Sequence, residues 1–202
     1  YMVVDPRRDH SFRIPRPDLF AATGAPDACT GCHTDRDPAW AAARIADLYG
    51  PDRRLEPHYG EALALARAGA PGAGDRLAAL VWDRERPPIV RATAVSMLRQ
   101  FLNARTGQAV LEALADEDPA VRAAALTALE AIEPTARLEL AGPLLADPVR
   151  SVRIAAARVL APLPDESFLG AGRAAYLRAV EDFIASEYAA AERPESHLNL
   201  GL

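Results

Sequence analysis

The sequence predicts an all-α protein, in which an extended N-terminal segment precedes an α-solenoid of helix pairs. Half of the 202 residues are hydrophobic but only 6% are aromatic, and Ala and Leu dominate, a composition that favours closely packed helices. A pattern of 31 residues also repeats between about residues 72 and 163. A chain of this length forms one large domain or two small ones, with a proper hydrophobic core.

Three Val-Arg dipeptides define the repeat, each 31 residues after the one before it: Val90-Arg91, Val121-Arg122 and Val152-Arg153. Two later positions are apolar in every copy: Val95, Leu126 and Ala157, then Leu98, Leu129 and Leu160. An acidic residue stands five residues before each Val and is expected to cap the turn between two helices: Glu85, Asp116 and Asp147. Each copy therefore predicts a helix pair that buries its apolar face against its neighbours, with residues 123–129 lining the interior.

This Asp-x-x-x-x-Val-Arg pattern resembles the short form of HEAT-type repeats. The resemblance implies a helical interaction domain that binds a protein partner. The segment from residue 107 to residue 150 has eight acidic residues against three Arg. A solvated helix face is the simpler interpretation of that excess, and an acidic docking surface for a basic partner is the alternative.

The chain has two cysteines, and they are three residues apart in Cys29-Thr30-Gly31-Cys32-His33. This is the spacing of c-type haem attachment, in which each thiol forms a thioether with a porphyrin vinyl group and the histidine binds the iron. The predicted cofactor is therefore haem c, with Cys29 and Cys32 as its anchors and His33 as the proximal iron ligand. A thioredoxin-like redox pair would need a βαβ context, which the sequence lacks. A zinc site would need a second Cys pair.

The distal iron ligand has two candidates. Four prolines in residues 1–28 preclude a long helix there, so this segment is predicted to extend along a haem face. His10 lies in it and is the preferred ligand, although a surface histidine is the simpler interpretation. His58, followed two residues later by Gly60, is the alternative ligand.

Two arginines of the same region, Arg13 and Arg16, are candidates for contacts with the haem propionates. Guanidinium groups are planar and bind carboxylates in a bidentate manner. Ordinary solvation is the alternative for each of them.

Residues 1–18, from Tyr-Met-Val-Val-Asp-Pro to Ile-Pro-Arg-Pro-Asp, together with residues 27–33, resemble the last haem segment of multihaem c-type cytochromes related to cytochrome c554. The resemblance covers about residues 1–48. It implies that His10 is a haem ligand and that Cys29, Cys32 and His33 form an attachment site. Upstream haem motifs of that family are missing from this chain, so His10 serves either this iron or the iron of another haem.

Helices are also predicted outside the repeats. Asp37-Pro38 is a helix start and Gly50-Pro51 a helix stop, a second helix runs over about residues 57–68, and a long one over about 172–192. Residues 193–202 resemble the first helix of a tetratricopeptide repeat, in which His197 would be a packing residue. The predicted domains are a haem-binding segment (1–70), HEAT-like repeats (71–164), and a long helix with a truncated tetratricopeptide repeat (165–202).

Charge and hydropathy limit the function further. The net charge is −5 and every one of the 23 basic residues is Arg, which argues against nucleic acid as a partner and excludes lysine-based catalysis. No segment has the roughly 18 apolar residues of a membrane span. Because haem c is attached in exported proteins, we expect a periplasmic or otherwise exported protein, of which these residues are a part.

The predicted function is electron transfer by one covalently bound haem, with a redox protein or upstream haem domains as partners and a further protein partner on the repeats. One alternative is an interaction scaffold in which the haem is structural or absent. Another is a catalytic haem with an open sixth position. An electron carrier is favoured over an enzyme, since the sequence has no hydrolase-like arrangement of catalytic residues.

Overall fold

The computed structural model describes residues 15–50 and 57–201, and within these ranges the regular elements are all helical. The chain divides into two compact units, Tyr1–Leu65 and Ala66–Leu202. The all-α class is therefore confirmed for the described residues. The boundaries of the three predicted domains remain predictions. Within the described part of the chain, no helix is long and apolar enough to cross a membrane.

The first unit contains a 3-10 turn (Pro17–Leu19), α1 (Phe20–Thr23) and α2 (Pro38–Tyr49). The predicted start of α2 is confirmed: the Asp37 carboxylate accepts a hydrogen bond from the Trp40 backbone N–H at 2.7 Å. Gly50, with a φ of 88°, ends this helix. α2 packs on the 3-10 turn, where Pro17 and Ala41 are buried.

The next helix, α3 (Tyr59–Arg67), begins two residues later than predicted. Eight further helices belong to the second unit: α4 (Ala73–Trp82), α5 (Pro88–Leu98), α6 (Ala104–Ala113), α7 (Pro119–Ala128), α8 (Pro134–Ala141), α9 (Arg150–Leu160), α10 (Gly170–Tyr188) and α11 (Pro194–Leu200). The first six of these make the three predicted helix pairs. The second helices α5, α7 and α9 pack on one another in sequence, as expected of a solenoid.

The 31-residue register is confirmed by burial. The Val of each Val-Arg dipeptide and the two apolar positions after it are buried in every copy: Val90, Val121, Val152, Val95, Leu126, Ala157, Leu98, Leu129 and Leu160. Within residues 123–129 the prediction was wrong at one position, because Thr127 is exposed. The remaining six residues of that stretch are buried or half-buried.

Ion pairs connect successive helix pairs. The Arg122 guanidinium on α7 binds the carboxylate of Asp147 with two hydrogen bonds, of 2.8 and 3.0 Å. One repeat earlier, Arg91 on α5 pairs with Asp116 through its Nη1, and there Asp116 also pairs with Arg84. Arg91 and Arg122 therefore each bind the aspartate that follows them by 25 residues, which belongs to the next helix pair.

The same two aspartates cap the turns, as predicted. Asp116 accepts from the backbone N–H of Asp118, and Asp147 from that of Val149. The prediction for Glu85 was wrong, because Asp83 accepts the equivalent bond from the Glu85 backbone N–H. In the turn before α5, the capping carboxylate of Asp83 therefore stands seven residues before Val90. In the turns before α7 and α9 the capping aspartate stands five residues before the Val.

The C-terminal part of the second unit contains α10 and α11. The predicted long helix is confirmed, and Ala175 and Ala179 are its buried residues. The prediction for His197 was wrong: its side chain is exposed, and the ring Nε2 lies 2.7 Å from the Ala191 carbonyl oxygen. Within α11, Ser196 is buried instead. The inner side of this helix is therefore one residue away from the predicted position.

Replacing Leu129 by Ala is expected to lower the free energy of unfolding by about 2–5 kcal/mol. Leu129 is buried at the end of α7, and its truncation removes apolar contacts and leaves a cavity. Thermal or urea unfolding of the variant measures the loss. Thr127→Ala, two residues away on the exposed side, is the control and should stay within about 0.5 kcal/mol of the wild type. Equal melting temperatures for Leu129→Ala and wild type would contradict the repeat register.

Candidate haem attachment site

The Cys-x-x-Cys-His residues form a single helical turn between α1 and α2. The Cys29 carbonyl accepts hydrogen bonds from the backbone N–H of Cys32 at 3.1 Å and of His33 at 2.9 Å. The His33 carbonyl in turn accepts from the N–H of Arg36 at 3.0 Å. Because residues three and four apart lie on the same side of such a turn, the two thiols and the imidazole are brought close together by local hydrogen bonding.

Asp27 holds this turn at its N-terminal end. One carboxylate oxygen accepts from the backbone N–H groups of Cys29 at 2.8 Å and Thr30 at 3.0 Å, and the other accepts from the Thr30 hydroxyl at 2.7 Å. Partial burial alone would raise the pKa of Asp27, but the hydrogen bonds from Thr30 and Cys29 outweigh it and hold that pKa below its usual value. Asp27 is therefore an ionised N-cap for the attachment turn.

Both cysteines are free thiols, with Cys29 half-buried and Cys32 exposed. Burial and the neighbouring Asp27 carboxylate raise the pKa of the Cys29 thiol. A thioredoxin-type redox cysteine needs the opposite shift, because the reactive species there is the thiolate. The environment of Cys29 thus differs from that of a thioredoxin-type redox cysteine.

His33 lies beside an aromatic residue. Its exposed ring is 4.9 Å from the ring of Trp40, centroid to centroid, with an angle of 56° between the two planes. The Arg36 guanidinium lies 5.7 Å from the centroid of the same Trp40 ring. Trp40 belongs to the first turn of α2, which Asp37 caps, so the capping of α2 places this aromatic contact next to the imidazole.

His58 has a different environment, in which one ring nitrogen is already engaged. Its Nδ1 accepts a hydrogen bond from the Gly60 backbone N–H at 3.1 Å. A Cβ at residue 60 would lie only 2.9 Å from this Nδ1, so Gly60 makes room for the His58 ring itself. A histidine that binds iron through Nε2 has its proton on Nδ1, and a protonated Nδ1 cannot accept from Gly60. The observed ring position therefore disfavours His58 as an iron ligand.

The remaining predicted residues are only partly described. His10 and Arg13 lie outside the described residues. The guanidinium of Arg16 is bound by the carboxylate of Asp18 through contacts of 2.9 to 3.1 Å, so a haem propionate would compete with Asp18 for it. Among the described residues, no group of three or more His, Cys, Asp or Glu side chains is arranged to hold a metal ion on its own.

The residues present fit a covalently attached haem. Two unoxidised thiols and an accessible imidazole lie on one short turn. Among the described residues, a Cβ at Gly31 would meet only the Ala28 carbonyl oxygen, at 3.8 Å, so these residues leave room for a flat ligand beside the backbone of the motif. Cys29 and Cys32 would hold the macrocycle and His33 would bind the iron.

Sequence reasoning missed Asp27 and the contact of Trp40. The sequence does contain a signal for the capping role of Asp27, since Asp27 and Thr30 have the spacing of an N-cap residue and the third residue of its helix. No local signal relates Trp40 to His33, because a residue seven positions away is brought near only when the loop between them folds back.

Replacing Asp27 by Asn is expected to lower the pKa of the Cys29 thiol and to accelerate its alkylation near pH 8. The amide keeps an acceptor oxygen for the backbone N–H groups but removes the negative charge that disfavours the thiolate. Iodoacetamide modification of the haem-free protein, followed by peptide mass analysis, measures the rate at Cys29. Asp37→Asn alters another N-cap and is the control. An unchanged rate in Asp27→Asn would show that Asp27 does not act on Cys29.

In a comparison with known families, residues 82–161 match the family described as HEAT repeats. These residues contain α5, α6, α7, α8 and α9, so this part of the chain is an α-solenoid of HEAT-like repeats. Comparisons with curated proteins and with solved structures found no match to the chain.

Proposed function

We propose that the chain is the haem-bearing part of an exported electron-transfer protein related to multihaem c-type cytochromes. The observation that carries this proposal is the Asp27-capped turn, which presents two free thiols and an accessible imidazole in the spacing of haem c attachment. When bound, the haem supplies an iron that is oxidised and reduced by one electron. The protein anchors it through Cys29 and Cys32 and binds the iron through His33.

The test is a pyridine haemochrome spectrum of the protein made together with a haem c maturation system, combined with acid–acetone extraction. The expected result is a c-type spectrum with haem that stays in the protein fraction. Haem that moves entirely into the organic layer would rule out covalent attachment. Recovery of the haem-loaded protein from the periplasmic fraction of the expression host tests whether the protein matures after export.

The second candidate function is a protein-interaction scaffold, with haem structural or absent, and the HEAT repeat match favours it. Solenoids of this kind expose an extended surface that binds other proteins. The tetratricopeptide-like residues 193–202 would extend such a scaffold. The two functions are compatible in one chain, since the attachment turn and the repeats lie in different compact units.

Replacing His10 by Ala is expected to convert the haem from low spin to high spin, and to allow it to bind added imidazole. His10 is the proposed distal ligand, and two imidazoles give a lower reduction potential than a His/Met pair. His58→Ala should stay low-spin, because Nδ1 of His58 is engaged by Gly60.

The opposite pattern, with only His58→Ala turning high-spin, would assign the sixth ligand to His58. If neither variant changes the spin state, a group other than these two histidines binds the iron. A wild-type protein that already binds imidazole would support the third possibility, a catalytic haem with an open position.

A further inference from the structure

An apolar groove opens between α6 and α8, at the end of α7, and has a volume of about 340 Å³. Its walls are largely aliphatic: Leu102, Val110, Leu111, Leu129, Ile132 and Leu140. Leu102 and Leu111 are exposed although both are large hydrophobic residues. The groove is at the lower end of the usual size range of ligand sites, about 300–1,000 Å³, so it accommodates a few side chains. Covering it would remove apolar surface from water, which is favourable.

The groove lies beside α8, the short first helix of the third pair. α4 packs directly on α6, whereas α6 and α8 do not pack closely. α8 has only eight residues, and Arg137 on it donates to the backbone carbonyls of Ile132 and Glu130, at 2.9 Å each. These bonds join α8 to the residues that directly follow α7. Gly107 on α6 leaves the space open, because a Cβ there would meet no atom of the described residues within 4 Å.

The rim of the groove is acidic. Four exposed glutamates are chain neighbours of residues that line it: Glu112, Glu130, Glu133 and Glu139. The Cα atom of each glutamate is about 3.8 Å from that of a lining residue. This spacing is shorter than the Debye length of about 8 Å at physiological salt, so the charges of these glutamates contribute to the electrostatic potential in the groove. No arginine is among the lining residues.

Of the three arginines of residues 107–150, Arg122 binds Asp147 and Arg150 binds Asp182. Arg137 keeps its positive charge while it donates to the carbonyls of Ile132 and Glu130, so it offsets one of the four rim carboxylates. Of the four rim glutamates, Glu130 has a described ion pair, a 3.5 Å contact with Arg99 between exposed side chains. The field at the groove is therefore negative.

We propose that this groove binds an amphipathic helical segment of a partner protein, with aliphatic side chains on one face and Lys or Arg beside them. Aliphatic side chains suit the groove wall, as in other helix-in-groove interactions, and basic flanks are attracted and oriented by the rim. A second copy of this chain fits less well, since two acidic rims on a chain of net charge −5 repel each other. The proposal rests on the repeats acting as an interaction module and is independent of the haem.

The test uses the full chain and three synthetic helical peptides. The first has Leu on one face and Lys on the other, the second has Glu in place of Lys, and the third has the Leu and Lys residues in scrambled order without an apolar face. Fluorescence anisotropy measures their dissociation constants. The Leu/Lys peptide is expected to bind at least tenfold more tightly than either of the others. Equal binding of the Leu/Glu peptide, or no binding of the Leu/Lys peptide, would overturn the proposal.

Gly107→Trp fills the groove and should weaken Leu/Lys binding at least tenfold. Gly172→Trp on α10 is the matched control, because a Cβ there also meets no atom within 4 Å, and it should bind like the wild type. If Gly107→Trp does not fold, Leu111→Gln replaces it, with Leu177→Gln, of similar exposure (42% and 49%), as its control.

Two further outcomes would overturn the groove as the binding site for such a partner. Equal peptide binding by Gly107→Trp and wild type would place the interaction elsewhere on the repeats, which leaves the scaffold function intact. A dimer of the wild type that Gly107→Trp dissociates would make a second copy the occupant. The haemochrome spectrum of each variant, expected to be unchanged, keeps this result separate from the proposed haem function.

Discussion

Replacing Cys29 and Cys32 together by Ala is expected to remove nearly all haem that survives acid–acetone extraction. Each thiol of the turn can supply one thioether, and without them the protein retains haem only through the iron–imidazole bond. That bond breaks when the imidazole is protonated in acid. Haem per protein, measured by pyridine haemochrome absorbance after extraction, gives the size of the loss.

Single variants refine the same measurement. Cys29→Ala and Cys32→Ala each leave one thiol, so each should retain less haem than the wild type but more than the double variant. Thr34→Ala changes an exposed residue directly after the motif and serves as the control with wild-type loading. Full loading in Cys29→Ala would contradict attachment through both cysteines.

Replacing Arg122 by Ala is expected to lower the free energy of unfolding by about 3–5 kcal/mol, the cost of breaking a buried ion pair from one side. The side chains of Arg122 and Asp147 are only 13% and 8% exposed. Arg122 also donates to the carbonyls of Asp116 and Glu117. Its removal leaves a largely buried carboxylate and two backbone acceptors without their donor. Urea unfolding of the variant beside the wild type measures the effect.

Arg99→Ala is the matched control for that experiment. Arg99 pairs with Glu130 between the first and second helix pairs, one repeat earlier, but both side chains are about half exposed, and such pairs contribute about 0–1 kcal/mol. The combined replacement Arg122→Met with Asp147→Leu should recover much of the lost stability, because it removes both charges together. A loss in Arg122→Ala no larger than that in Arg99→Ala would show that the pair does not hold the repeats together.

The pH dependence follows from the same pair. Burial alone would raise the pKa of Asp147, but Arg122, the Val149 backbone N–H and Arg153 outweigh it and lower that pKa. The folded-state pKa therefore lies below the unfolded value of about 3.9. A depressed carboxylate pKa stabilises the fold above the unfolded pKa, and this stabilisation is lost as the pH falls through the folded pKa. Arg122→Ala should accordingly show a weaker loss of stability with falling pH in this acidic range.

Local patterns in the sequence were sufficient to predict the helices and the repeat, and to identify the attachment motif. Asp37 caps α2 as predicted, because N-capping involves residues two or three positions apart. The 31-residue period identified Leu98, Leu129 and Leu160 as buried, because equivalent positions of stacked repeats have the same neighbours. The longer turn before α5 escaped prediction: the spacing to Val90 points to Glu85, whereas the turn conformation brings Asp83 to the backbone N–H.

Contacts between segments were decided only by the tertiary structure. The sequence indicates that Asp147 caps a turn, but not that Arg122 from the previous helix pair binds it, because that pairing depends on how α7 and α9 stack. The contact of His33 with Trp40 likewise depends on the path of the loop between them. The groove beside Gly107 lies where α6 and the short helix α8 do not pack closely on each other. Haem attachment chemistry is thus contained in five consecutive residues, whereas the surfaces available to partners arise from the packing of helices far apart in the chain.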